Sequence, residues 1–179
     1  MRLFIELSYD GASYHGWQRQ PDSSSVQEEI EKQLTQFLGE RVPVMGCGRT
    51  DTGVHASYFV AHCDWPVASE RAKRYRDWEE ATWKLNGMLP PDISIHRMVP
   101  MHAKAHARFD AIERAYVYRM HQRKDPFLLS HSARIYRETD FEKMQRACQY
   151  LIRKGDFAAF CKLGSNQGTT ICDVREARM

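Results

Sequence analysis

The sequence predicts an α+β fold of two ferredoxin-like, RNA-recognition-like units, with antiparallel sheets and helices packed on one face, the second unit incomplete. Three observations carry this. Short stretches of alternating apolar residues are separated by stretches in which apolar residues recur at helical spacing. Over the first hundred or so residues the order is strand, helix, strand, strand, helix, strand, which is the split β-α-β pattern. The pattern then restarts and runs out, so residues 1–108 form the first expected unit and residues 109–179 the second.

The elements follow in order. RLFIELSY (2–9) alternates as a strand, with Leu3, Ile5, Leu7 and Tyr9 on one face. After a polar loop, Ser25 and Glu28 make the SxxE capping pattern. Val26, Ile30, Leu34, Phe37 and Leu38 continue at helical spacing until Gly39 supplies a C-terminal cap. VPVMG is a short strand, and ASYFVAHCDW is another. A second helix over 75–88 carries Trp78, Ala81, Leu85 and Met88 on one stripe, and Pro90-Pro91 stop it. DISIHRMVP alternates again. In the second unit ERAYVYRM (113–120) reads as a strand. Asp140 caps a helix with Phe141, Met144, Cys148 and Leu151, ended by Gly155, and TTICDVREARM opens another strand.

Composition narrows the function classes. The 179 residues are 42% hydrophobic and 27% charged, as in a soluble globular protein. No apolar run approaches the roughly 20 residues of a membrane span. Glu6 and Asp10 near the N-terminus do not suit a signal peptide, so the expected location is the cytoplasm. The cysteines are five, an odd number, with no CxxC spacing, which suggests neither a disulfide framework nor zinc. No HExxH-like pair occurs, and adjacent His62 and Cys63 would point to opposite faces of a strand. A net charge of +3 is weak evidence for a polyanionic partner. Two basic runs, RAKRYR (71–76) and RMHQRK (119–124), are more specific, although each also fits a solvated face.

The chemistry centres on GCGRTDTGVHA, residues 46–56. Its plain reading is a turn, since Gly, Asp and Thr all favour turns. The sharper reading starts from Arg49 and Asp51, two apart and fenced by Gly48 and Gly53. In extended chain, residues i and i+2 project from one side. A guanidinium beside a carboxylate holds it ionised and aimed. Such a carboxylate serves as a nucleophile, a general base or half of a structural pair. Tyr116 and Tyr118, flanked by Arg114 and Arg119, read either as a half-buried strand or as a stacking platform for bases. The loop GASYHGWQRQP adds aromatics and fork-like donors, including Gln18 and Arg19, that suit single-stranded nucleic acid.

Taken together, YDGASYHGWQRQP, SVQEEIEKQL, GRTDTGVHA, LNGMLPPDI, HARFDA and RAYVYR occur in the order and spacing of tRNA pseudouridine synthases of the TruA type. The chain resembles that family from Leu3 to about Phe160. The resemblance implies an isomerase that converts uridine to pseudouridine at positions 38, 39 and 40 of the tRNA anticodon arm, without metal or cofactor, as a cytoplasmic homodimer. It implies that Asp51 is the catalytic aspartate, that Arg49 pairs with it and helps open the base stack, and that Tyr116 stacks on the target uracil. Gly48, Gly53, His55, Gln18, Arg19 and Arg108 are the further candidate substrate contacts, and the two basic runs are candidate cleft walls. Thr52 departs from the family, which commonly has alanine there. The family's chains extend further, so the chain is expected to lack a C-terminal segment that closes the cleft and completes the second sheet, with reduced activity as the consequence. The alternative is a non-catalytic RNA-binding module using the same sheet. A carboxylate set among phosphates argues against a mere binder.

Overall fold

The computed structural model describes residues 1–161 and 169–179. The chain is α+β and divides into two compact units, Met1–Tyr116 and Val117–Met179, so the first extends to residue 116 rather than 108.

The first unit contains β1 (Arg2–Tyr9), α1 (Val26–Leu38), β2 (Val44–Gly46), β3 (Ala56–Asp64), α2 (Trp78–Asn86) and β4 (Ile93–Pro100). The strands form one sheet in the order β2-β3-β1-β4, antiparallel at every pairing. This is the split β-α-β arrangement that the element order implies. Leu3, Ile5, Leu7 and Tyr9 of β1 turn to one face. They pack with Phe59, Ala61 and Cys63 of β3, Ile93, Ile95 and Met98 of β4, and the buried stripes of α1 and α2. Burial of that shared face holds the two helices on the sheet, because a helix of nine or thirteen residues is marginal alone.

Local signals set the helix ends. The Glu28 N–H donates to Ser25 Oγ at 3.3 Å, while the Glu28 carboxylate pairs with Arg19. At the other end Gly39 takes the left-handed conformation, φ 79°, and its N–H returns to the Thr35 carbonyl. The second helix begins later than residue 75, because the Asp77 side chain takes the Glu79 N–H at 2.8 Å and fixes the start at Trp78. Tyr75, left outside it, stacks on Phe37 with ring centroids 4.2 Å apart.

Both edges of the sheet are closed by side chains from the helices. On β2 the Val44 N–H donates to Glu31 Oε1 at 2.9 Å, and Gln27 Nε2 donates to the Val44 carbonyl at 2.9 Å. On β4 the Ile95 N–H donates to Asn86 Oδ1, and Asn86 Nδ2 donates to the Ile95 carbonyl, both at 2.8 Å. Each helix thus supplies the donor and acceptor that a further strand would have offered, which blunts the edge against pairing with another chain.

The second unit holds β5 (Met120–His121), β6 (Ala133–Arg134), α3 (Phe141–Gln149), β7 (Lys154–Asp156) and β8 (Ile171–Asp173). β5 pairs with β6 in parallel, and β7 with β8 antiparallel. Asp140 caps α3 by accepting from Lys143 N–H at 2.9 Å. Two expectations fail. The run 113–120 is not a strand: only Met120 joins a ladder, and Tyr116, Val117 and Tyr118 are 69%, 81% and 88% exposed. Alternation supplies side chains for a strand, but the strand is made by a neighbour's hydrogen bonds, and that pairing begins only at the Arg119 carbonyl, which accepts from Ala133 N–H at 2.8 Å. The helix expected to run to Gly155 stops at Gln149, and Gly155 lies in β7 opposite Cys172.

Glu31 tests the edge closure. Glu31→Ala removes the acceptor for a buried backbone N–H, and urea unfolding should report a loss of about 1–3 kcal/mol. Glu31→Gln keeps an acceptor oxygen and should cost less than half as much.

Candidate functional site

The loop 47–55 joins β2 to β3. It lies at the end of the sheet where β1 finishes and β4 begins, for Tyr9 is paired with both Ala56 and Ile93. A second loop, residues 10–25, leaves β1 at the same end and runs to α1. The two loops meet backbone to backbone. The Trp17 N–H donates to the Thr50 carbonyl at 3.1 Å, and the Gly53 N–H donates to the Tyr14 carbonyl at 3.2 Å. A Cβ on Gly16 would lie 2.3 Å from Thr50 O, and one on Gly11 would lie 2.1 Å from Val54 O. Gly16 also has φ 91°. Only glycine permits both the approach and that backbone shape.

The same piece of backbone starts α1. The Gly16 carbonyl accepts from Val26 N–H at 3.3 Å and the Trp17 carbonyl from Gln27 N–H at 3.0 Å, so two of the helix's unpaired amides end here. The Trp17 ring packs on Phe59 at 4.2 Å and lies 6.0 Å from the Tyr9 ring, tying the loop to the core below. Tyr14 donates from its hydroxyl to Asp92 Oδ1 at 2.7 Å. Burial, then the bond to Asp92, raises the Tyr14 pKa, so this donor keeps its proton.

Thr50 is the inward residue of the R-T-D triplet. Its Oγ1 lies 3.0 Å from the Tyr9 hydroxyl. Burial raises the Tyr9 pKa to about 12 against the opposing effect of that hydrogen bond, with smaller upward contributions from Cys47 and Tyr116, so Tyr9 stays neutral. With Thr50 turned in, Arg49 and Asp51 are both exposed. The expected ion pair between them does not form. The chain turns at Asp51, where Val54 N–H donates to the Asp51 carbonyl and Gly53 has φ 76°. The i, i+2 geometry of extended chain does not survive that turn.

The remaining predicted contacts are distributed around this loop. His55 is half-buried, and its Nδ1 lies 2.8 Å from Asp10 Oδ1 and 3.2 Å from Gly11 N. Protonated, that nitrogen donates to Asp10; bare, it accepts from Gly11. Gly48 passes beside Arg114, whose Nη2 donates to the Cys47 carbonyl at 2.6 Å and the Arg108 carbonyl at 3.0 Å. The Arg108 guanidinium is exposed, 5.8 Å from the Phe109 ring, and Tyr116 is exposed. Gln18 is exposed beside Trp17. Arg19 is turned away to the acidic side of α1, 3.3 Å from Glu28 and 3.8 Å from Glu31. RAKRYR does not wall this loop. It follows the far end of β3, and the nine-residue strand sets it roughly 26 Å away at about 3.3 Å per residue. RMHQRK belongs to the second unit.

Gly11, Gly16, Tyr9, Thr50 and Asp92 are site residues that the sequence did not single out for the site, and Arg114, expected only as a cation flanking Tyr116, ties its stretch to the Cys47 carbonyl. The signal for the glycines was present. Two glycines five apart, in a loop otherwise aromatic and polar, mark a place where backbone is approached closely.

No family model matches the chain. The chain is 44% identical over 177 residues to tRNA pseudouridine synthase A of Porphyromonas gingivalis, covering 99% of this chain and 68% of that one. It is 45% identical over 176 residues to tRNA pseudouridine synthase A of Bacteroides thetaiotaomicron, covering 98% and 63%. Against tRNA pseudouridine synthase A of Aliivibrio salmonicida the identity is 40% over 162 residues, covering 89% and 59%. The chain thus spans roughly two thirds of the length of these curated relatives.

Two glycine substitutions separate packing from backbone strain. Gly53 has positive φ but open space around its Cα, so Gly53→Ala should cost about 1–2 kcal/mol in urea unfolding. Gly16→Ala adds a collision with the Thr50 carbonyl and should cost clearly more, about 3 kcal/mol or above. Equal costs would mean that the two loops do not meet as described.

Proposed function

From the premise that the chain belongs to the tRNA pseudouridine synthase A family, we propose that it isomerises uridine to pseudouridine at positions 38, 39 and 40 of the tRNA anticodon arm. One observation carries the reading: the Thr50–Asp51 backbone is fixed by Gly16 and Trp17 and the Thr50 side chain by Tyr9, while the Asp51 carboxylate is left exposed. A rigidly seated loop that offers an open carboxylate suits chemistry on a nucleotide drawn out of its stack.

The reaction breaks the N1–C1′ bond of uridine, turns the uracil, and joins C5 to C1′. The C5 proton is lost and N1 gains one, so product and substrate are isomers and no electrons are exchanged. Asp51 acts as the nucleophile: its carboxylate oxygen bonds to the nucleotide, at C1′ as the N1–C1′ bond breaks or at C6, and that bond is broken again once C5 has joined C1′. Arg49, exposed next to the inward Thr50, meets the phosphates and fills the space the base vacates. Tyr116 supplies a ring face for the uracil, and Arg108 a cation for the backbone. We assign the protein to the cytoplasm, as a homodimer, and assign the reaction no metal and no cofactor. The lack of zinc-type spacings and the redox balance of the reaction support that assignment.

Tritium release from anticodon-arm RNA labelled at uridine C5 tests the proposal. It should be run on this chain and on a chimera completed with the C-terminal third of the Porphyromonas gingivalis relative. Asp51→Asn should lower turnover by more than about a thousandfold while RNA binding persists. A loss within about tenfold would refute the role of Asp51. Exhaustive chelation should leave turnover unchanged, and loss restored by zinc would refute the metal-free assignment. Tyr116→Ala should weaken RNA binding by about 1–3 kcal/mol and Tyr116→Phe far less; equal losses would assign the hydroxyl, not the ring.

A further inference from the structure

We infer that His62 is a positioning residue: its Nδ1 anchors the Ala107 N–H on the open face of the sheet and so sets where Arg108, Arg114 and Tyr116 stand beside the Asp51 loop. The anchoring is a statement about the fold; its consequence for RNA rests on the function proposed above.

His62 lies on β3, on the face opposite the helices, 7% exposed. Its register neighbours are Phe4 on β1 and Met45 on β2. The Phe4 ring stacks on it at 6.0 Å, inclined by 27°, and the His106 ring stands edge-on at 4.6 Å. The chain after β4 returns across this face. Met101 N–H donates to the Arg2 carbonyl and Arg2 Nη1 donates to the Ala105 carbonyl, both at 2.9 Å. Ala105 and Ala107 are buried against it, at 1% and 4% exposure.

The turn 106–110 then closes on itself. His106 N–H donates to Asp110 Oδ2 at 2.8 Å, and Arg108 N–H to His106 Nδ1 at 3.2 Å. Phe109 and Asp110 N–H both donate to the His106 carbonyl. The Ala107 N–H does not join this set. It donates to His62 Nδ1 at 3.1 Å. A turn that satisfies itself has no orientation of its own, and this bond gives it one. The next tie to the sheet is Arg114 to the Cys47 carbonyl, at the mouth of the Asp51 loop. Arg108 projects from the stretch between those ties, and Tyr116 follows two residues after the second.

The bond requires a bare Nδ1, because a charged imidazole carries donors at both nitrogens. The groups facing His62 are Arg2 from β1, His106 and Asp110 from the turn, and Asp64 on its own strand. Burial, then Arg2, then His106 lower its pKa to about 4, against the opposing carboxylates of Asp64 and Asp110. The folded pKa lies below the ordinary 6.5. The anchor is therefore intact above about pH 6.5, and the stability it contributes is lost as pH falls from there toward about 4.

Amide hydrogen exchange at Ala107, measured on the 179-residue chain and corrected for intrinsic rates, reads this directly. Two variants bracket it. His62→Phe keeps a ring for Phe4 and His106 but offers no acceptor. His62→Asn places an oxygen near the Nδ1 position and cannot take up a proton. The parent should protect Ala107 at pH 7 and lose about tenfold of that protection between pH 6.5 and 4. The Phe variant should show the loss already at pH 7, and the Asn variant should retain protection with no acid step. If the Phe variant does not fold, the Asn variant and the parent's acid step decide the matter. Protection that is unchanged in the Phe variant, or an acid step that persists in the Asn variant, would overturn the assignment. Steady-state kinetics add the RNA arm: the Phe variant should lower kcat/KM on anticodon-arm RNA at least about tenfold, with rescue by Asn. Exchange that follows the expected pattern without any turnover by the parent chain or the completed chimera would uphold the anchor and sink the proposed function instead.

Discussion

Backbone rests on backbone where Gly16 meets Thr50, and the rest of the site depends on that contact. Gly16 and Trp17 face two ways at once. Their carbonyls take the first amides of α1, while the Trp17 N–H takes the Thr50 carbonyl. The apolar burial that holds α1 on the sheet is thereby carried into the position of the Asp51 loop. The loop has little apolar side chain of its own to bury, so it gains rigidity from a neighbour already fixed by the core. Tyr9 completes the seat from below, since it belongs both to the core face of β1 and, through its hydroxyl, to Thr50. The outcome is a triplet with its middle residue held in and its two charged residues held out.

The same device, a side chain or loop standing in for a strand, recurs at the sheet edges. Gln27 and Glu31 close β2, and Asn86 closes β4. These helical polar groups were invisible as structure because a Glu or Asn on a helix reads as a solvated face. Glu31 is nevertheless 7% exposed. Its carboxylate accepts from the Val44 N–H and from Gln27 and lies 3.8 Å from Arg19, which is also why Arg19 is diverted from the role the loop composition suggested.

What could be read in the sequence follows the range of the forces involved. The helix from Ser25 to Gly39 was legible to the residue, because its caps and its apolar stripe are local. The strands of the first unit were legible because one buried face enforces alternation. The stretch 113–119 was not, because a strand is a property of two segments and alternation describes only one. The end of α3 was misplaced because Gly155 looks the same as a cap and as a strand residue. In the site, Asp51 stood out by its glycine fence and by the family resemblance of the surrounding motif. The missing Arg49 pair and the distance of RAKRYR from the loop both required tertiary information: the turn at Asp51 in one case, the length of β3 in the other. His62 was weighed only as a metal ligand, and its bond to Ala107 spans 45 residues.

The central claim is that the loop seated on Gly16 presents Asp51 to a nucleotide taken out of its stack. The most direct measurement is a crystal structure of the protein, completed as in the chimera above, bound to an anticodon arm carrying 5-fluorouridine, whose C5 has no proton to release. The account predicts an extruded nucleotide with the Asp51 carboxylate at bonding distance or within about 3.5 Å of its ribose or base, and with Thr50 still bonded to Tyr9. A nucleotide that remains stacked in the arm, or one extruded beyond the reach of Asp51, would contradict it.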